Sequence, residues 1–204
     1  MHILVTGFEP FGNDAFNASG EAVRQLPARL GEHEVTTAIL PVSFAASGQV
    51  LASLLAEHQP DALVCVGEAG GRAEITPERW AVNEDDARIP DNDGDQPLST
   101  AIKENAPARV EASLDPAAAV HSLLAAGHEA RVSENAGRFV CNHVAYLAYS
   151  QPIPSLFIHV PALRPPGIRV TVGAETDATA SHRRHGELSQ LPQALGIAIQ
   201  GAMG

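Results

Sequence analysis

Cysteine is scarce in this chain. Only Cys65 and Cys141 occur among 204 residues, too few for a disulfide framework. Any thiol chemistry therefore falls to one of those two side chains. Aromatic residues make up only 4% of the sequence, so two phenylalanines close together in a turn-like segment call for a reason. Positive charge is also thin. The net charge is −11, and no basic cluster exceeds Arg183-Arg184, which argues against a nucleic acid or an anionic membrane as partner. No apolar stretch approaches membrane-spanning length. Met1 leads straight into a strand-like run, without a charged leader region or a cleavage site. These absences predict a cytoplasmic protein. The length suits one domain with a full core and would cramp two, so a single domain over residues 1–204 is expected.

What is present is an alternation of short apolar runs with longer helical patterns. His2 to Thr6, Thr36 to Pro41, Ala62 to Val66 and Leu156 to Val160 read as strands. The unbroken apolar run around Cys65 suits a parallel strand buried on both faces, where a cysteine is ordinary packing. Helical spacing predicts helices over residues 21–30 and 45–58, and an amphipathic one over 188–202. Asp115-Pro116 opens another, which Gly127 stops. Residues 75–83 are predicted as one further strand, 91–110 as a polar loop and 130–132 as a short strand. This order predicts an α/β fold: one three-layer α/β/α domain around a mostly parallel sheet. Ligands of such sheets bind beyond the carboxyl ends of the strands, where Phe8, Glu68, Glu78 and His159 could converge.

The segment Asn135-Ala-Gly-Arg-Phe-Val-Cys141-Asn-His places a cysteine just after a glycine-containing turn. Val144, Leu147 and Ala148 recur at helical spacing behind it, so Cys141 falls at or near a helix N-terminus. The N–H groups and positive dipole end there favour a thiolate over a thiol. His159 lies in the apolar run Ser155-Leu-Phe-Ile-His159-Val-Pro. A cysteine and a histidine brought together by a fold make a thiol hydrolase. Both residues are equally compatible with core packing on this ground alone.

Four further blocks carry a resemblance. They are Thr6-Gly-Phe8-Glu-Pro-Phe11-Gly12, Gly67-Glu-Ala-Gly-Gly-Arg72, Ile75-Thr-Pro-Glu78-Arg79-Trp-Ala-Val-Asn83 and Asp86-Ala-Arg88-Ile-Pro-Asp91-Asn92. Together with the Cys141 segment they resemble the pyrrolidone carboxyl peptidases, or pyroglutamyl peptidases I. The resemblance runs from residue 1 to about Pro161, and the stretch beyond departs from it. It implies a cysteine exopeptidase that removes an N-terminal pyroglutamate from peptides without a cofactor or metal, commonly as a homotetramer. It implies Cys141 as nucleophile, His159 as proton shuttle and Glu78 as the carboxylate orienting the imidazole. By residue type alone, Glu78 could equally pair with Arg79 or face solvent. Arg88 is either an oxyanion donor beside the Cys141 N–H or a tie to its acidic neighbours. The resemblance implies that Phe8 and Phe11 sandwich the lactam ring, although both could also be loop packing. Asn17 matches a pocket asparagine or caps the next helix. Glu68 stands where the family often has glutamine or leucine. Its backbone could contact the ring, in which case the side chain matters little, or its charge could face the ring and weaken binding.

Other patterns fall short. Asp91-Asn-Asp93-Gly-Asp95 starts like a calcium loop but has Gln96 and Ile102 where glycine and glutamate are needed. His182-Arg-Arg-His185 has metal-like spacing without a third ligand. The cluster Gly67, Gly70, Gly71 has no Walker lysine. A nucleoside phosphorylase-like or non-catalytic small-molecule-binding domain remains the alternative, since fold alone does not separate them.

Overall fold

The computed structural model describes residues 1–168 and 186–204; the His182/His185 pair lies outside the described residues. Strands β1 (His2–Phe8), β2 (Arg29–Leu30), β3 (His33–Leu40), β4 (Ala62–Ala69), β5 (Thr76–Glu78) and β8 (Ser155–Pro161) form a sheet in the order β2-β3-β1-β4-β8-β5. Strands β3, β1, β4 and β8 are mutually parallel, while β2 and β5 run antiparallel at the two edges. A separate antiparallel pair joins β6 (Trp80–Val82) to β7 (Arg109–Glu111).

Alternation along the strands sorts the helices into two layers. Ile3, Val5, Val64, Val66, Leu156 and Ile158 pack against α1 (Ala18–Arg24), α3 (Pro116–Ala125) and α5 (Leu191–Met203). Leu4, Leu63, Cys65 and Phe157 point the other way, against α2 (Phe44–His58) and α4 (Val140–Tyr149). All seven residues of β8 are buried, as a strand covered on both faces requires. The parallel strands end on one edge, at Phe8, Leu40, Ala69 and Pro161, and the chain entering α4 returns to that edge.

Four local expectations need correction. The helix predicted over 21–30 is shifted to Ala18–Arg24, because Asn17 caps it early and Pro27 bars its extension; Arg29–Leu30 is instead an edge strand. The single strand predicted over 75–83 is two strands in different sheets. The chain turns at Arg79, whose N–H bonds to the Ser133 carbonyl and whose carbonyl accepts from Ala112. The loop predicted over 91–110 ends in β7, and 130–132 makes only an isolated bridge from Ala130 to Ile75. Among the described residues no helix is long and apolar enough to cross a membrane, and no cluster of side chains could hold a metal ion.

Candidate active site

Cys141 occupies the first turn of α4, half-buried. Phe139, the N-cap residue, is extended and offers no side-chain cap to the first turn. The helix start is pinned from the side by Asn142. Its amide donates to the carbonyls of Val82 and Glu84 (2.9 and 3.0 Å) and accepts from the Val82 N–H (2.9 Å). Three hydrogen bonds from one buried side chain fix the neighbouring cysteine against β6.

Sheet register brings His159 to the same place. Gly67 of β4 and His159 of β8 are direct partners in a parallel pair, so their side-chain positions share one face. Gly67 has no side chain, and the space it leaves is taken by the thiol. A Cβ there would lie 2.8 Å from Cys141 Sγ and 2.8 Å from the Phe157 ring. The Phe157 and His159 rings, two residues apart on β8, stand 4.9 Å apart. Cys141, Phe157 and His159 therefore meet over a glycine gap at the carboxyl end of the sheet. Cys65, by contrast, is fully buried in mid-strand, and burial pushes its thiol up to about 12.

Glu78 comes from the antiparallel edge strand β5 and is fully buried. Its Oε1 lies 2.7 Å from His159 Nδ1. The Arg72 guanidinium binds the same oxygen and Thr76 Oγ1, and reaches the Asn135 carbonyl at 2.8 Å. The ion pair with Arg79 considered from the sequence does not form; Arg79 pairs with Glu134 at 2.8 Å. Burial alone would raise the Glu78 carboxyl. The hydrogen bond and charge of His159, with Arg72 and Ser133, overcome it and hold the group below the usual carboxylate range. Tyr149 of α4 ties these strands together. Its hydroxyl donates to the Glu78 carbonyl (2.7 Å) and accepts from the Phe157 N–H (3.0 Å).

The loop after β1 forms one wall beside this centre. Phe11, Gly12 and Asn13 line a cleft of about 510 Å³ with Ile89, Pro90, Asp91 and Asn92. Phe11 packs edge-on against Phe139 (5.4 Å), joining the cleft to the start of α4. Phe8 lies deeper, 2% exposed, with its ring 6.5 Å from Phe157, so only Phe11 of the two lines the cleft. Asn17 is the N-cap of α1. Its Oδ1 accepts from the Ser19 N–H and hydroxyl (3.0 and 2.7 Å), and its Nδ2 donates to the Glu9 carbonyl (2.9 Å). Arg88 is exposed, immediately before the cleft residues Ile89 to Asn92. Asn92 binds the two walls together, donating to Glu9 Oε1 and the Pro10 carbonyl (both 3.0 Å) and accepting from the Gly12 N–H (2.9 Å). The Asp91 carboxylate accepts from the N–H groups of Asp93, Asp95 and Phe44, shaping the turn that looked like part of a calcium loop.

Glu68 follows Gly67 on β4 and so points to the opposite face, away from Cys141. Its carboxylate accepts from the Ala18 N–H at the start of α1 (2.6 Å) and from both terminal nitrogens of Arg164 (2.6 and 2.8 Å). Asn92, Asn142, Tyr149, Arg72 and Arg164 were not singled out from sequence as site residues. Only the position of Asn142 beside Cys141, and of Arg72 and Asn92 inside distinctive blocks, offered a signal.

Known proteins resemble this chain in sequence and in fold. A profile of the pyroglutamyl peptidase family matches residues 1–181. A pyrrolidone-carboxylate peptidase of Streptococcus pyogenes (serotype M5) is 44% identical over 167 residues, covering 79% of this chain and 78% of the relative. Among solved structures, Bacillus amyloliquefaciens pyroglutamyl peptidase I superposes with a TM-score of 0.86 at 37% identity, covering 98% of this chain and 96% of that one. The pyrrolidone carboxyl peptidase of Thermococcus litoralis gives 0.87 at 32% identity, with 99% and 93% covered. By sequence, and by a fold that carries the Cys141, His159 and Glu78 blocks to one edge of its sheet, the chain belongs to the pyroglutamyl peptidase family.

Proposed function

We propose that Cys141, His159 and Glu78 carry out the reaction of this family, hydrolysis of the amide bond after an N-terminal pyroglutamyl residue. The observation that supports it most is the register of Gly67 with His159, which opens the space holding the Cys141 thiol on the face where Glu78 binds the imidazole. His159 Nε2 takes the Cys141 thiol proton, and the sulfur attacks the pyroglutamyl carbonyl carbon, forming a C–S bond and an oxyanion. N–H groups of the first turn of α4 receive that oxyanion, a type of donor worth about 10²–10³ in turnover. Arg88 supplies a further donor from the rim of the cleft. His159 Nε2 delivers a proton to the leaving amine, the C–N bond breaks, and a thioester remains. Water then attacks the thioester while His159 takes its proton, releasing pyroglutamate and the thiolate. Glu78 keeps the Nδ1 proton of His159 in place and stabilises the imidazolium, using no metal or cofactor.

The flat, neutral lactam is taken up beside Phe11, with Phe8 behind it. Asn17 shapes this wall through its helix cap and its bond to Glu9, and Glu68 serves through its backbone, because its side chain faces the other layer. A single peptidase domain over residues 1–204, a homotetramer and a cytoplasmic location complete the proposal. Membership of this family sets aside a phosphorylase or a non-catalytic binder. The test is release of a fluorescent amine from pyroglutamyl, prolyl and glutamyl amides, with and without a thiol-alkylating reagent. Alkylation-sensitive cleavage of the pyroglutamyl amide alone is expected. Equal cleavage of the prolyl amide, or full activity after alkylation, would overturn the proposal.

A further inference from the structure

Two oppositely charged side chains, 96 positions apart in the chain, meet in space. Glu68 lies near the end of β4 and Arg164 just after β8, inside the region that the family profile matches. Arg164 donates Nη1 to Glu68 Oε2 (2.6 Å), Nη2 to Glu68 Oε1 (2.8 Å), and Nη2 also to Asp14 Oδ2 (2.9 Å). The three side chains are 4%, 12% and 9% exposed, so this charge cluster is largely removed from water. Burial works against the Arg164 cation, and the two carboxylates more than offset it, raising its pKa. A planar guanidinium gripping one carboxylate with two parallel bonds fixes angle as well as distance.

The anchor points are what give the cluster a role. Glu68 is at the carboxyl end of β4, one residue past the gap holding the Cys141 thiol. Arg164 follows the end of β8, five residues after His159. Asp14 belongs to the loop whose Phe11 to Asn13 wall the cleft, and the Ala18 N–H held by Glu68 begins the helix that ends this loop. We propose that Arg164 is a positioning residue for substrate binding, clamping the loop of Phe11 to the ends of β4 and β8 while neutralising the buried charge of Glu68. Loss of the cation leaves a carboxylate buried without its partner next to the cleft wall, a far worse state than an uncharged pair. Binding of the lactam then suffers, whereas the thiol and imidazole on the opposite face are untouched.

This inference rests on the proposed peptidase activity, which the wild-type enzyme tests by itself. The clamp is tested by comparing Arg164→Met, Arg164→Lys and the double variant Glu68→Gln/Arg164→Met on a pyroglutamyl amide. Arg164→Met is expected to raise KM about tenfold or more with kcat and the alkylation rate of Cys141 nearly unchanged. The double variant is expected to recover part of the KM loss and not all of it, since no unpaired carboxylate remains at position 68 while the Arg164 bond to Asp14 is still missing. Arg164→Lys keeps the charge but not the fork and should fall between them, and it serves with the double variant if Arg164→Met does not fold. Hydrogen exchange over residues 9–17 needs no substrate; it should rise in Arg164→Lys and stay raised in the double variant, where the Arg164 bond to Asp14 is gone. Unchanged KM in both single variants, a fall in kcat and alkylation rate instead of a rise in KM, or no recovery in the double variant would each overturn the proposal.

Discussion

Gly67→Ala probes the junction of strand register and the Cys141 thiol with the smallest possible change. Gly67 is in a strand, so alanine meets no backbone obstacle and all of its effect comes from one methyl group. That methyl would sit 2.8 Å from both Cys141 Sγ and the Phe157 ring, whereas ordinary contact begins at 3.4 Å. In a close-packed site these atoms must therefore retreat by roughly 0.6 Å. Phe157 is fully buried behind them, so the easier movement is that of the half-buried thiol. Overpacking of this kind costs ~1–3 kcal/mol of stability. A nucleophile displaced towards 1 Å from its attack position loses about 10²-fold in rate. The expected result is a fall in kcat for a pyroglutamyl amide of roughly 10²-fold, with KM changed much less and a lowered Tm. Steady-state kinetics and thermal unfolding of the same preparation give both readings. A kcat within about twofold of wild type would refute the reasoning, because it would mean the thiol does not need the space that Gly67 leaves.

Other perturbations separate the remaining parts of the site. Glu78→Gln should lower kcat less than His159→Ala does, since an amide still bonds to the imidazole but does not stabilise its cation; equal losses would remove the orienting role. Because the Glu78 carboxyl is held below its ordinary range, its contribution to stability is present above about pH 4.3 and fades as the pH falls through the depressed value. Wild type should accordingly lose more unfolding free energy on acidification than Glu78→Gln, and parallel pH profiles would contradict this. Tyr149→Phe strands the Glu78 carbonyl and the Phe157 N–H, at a cost of ~1–3 kcal/mol each, readable by denaturant unfolding; an unchanged midpoint would show both groups repaired. Phe11→Ala should raise KM more than Phe8→Ala lowers kcat, because Phe11 lines the cleft and Phe8 supports Phe157 from within the core.

The layers and most of the sheet were legible because they rest on local patterns. The apolar run of β4, the Asp115-Pro116 helix start and the helical spacing after Cys141 each carry their own signal. What failed was decided by partners far along the chain. Residues 75–83 have the composition of one strand, but the bonds of Arg79 to Ser133 and Ala112 pull the chain out of the sheet after Glu78. The helix over 21–30 misjudged a boundary that Asn17 and Pro27 set together. In the site, the short motifs marked Cys141, His159 and Glu78, while residues that hold them were silent. Tyr149 reads as one more apolar position of α4, and only the fold reveals that its hydroxyl bridges β5 and β8. The charge of Glu68 looked like a threat to the pocket, and nothing local to Arg164 could show that it answers that charge across 96 residues.

The central claim is that the thiol of Cys141 becomes acylated during turnover. Mixing the enzyme with a pyroglutamyl amide, quenching in acid within the first turnover and mapping the digested chain by mass spectrometry tests this directly. The account predicts an adduct with the mass of one pyroglutamyl group on the peptide containing Cys141, absent when Cys141→Ser is treated the same way. An adduct on Cys65, or continued amide hydrolysis by Cys141→Ser, would contradict it.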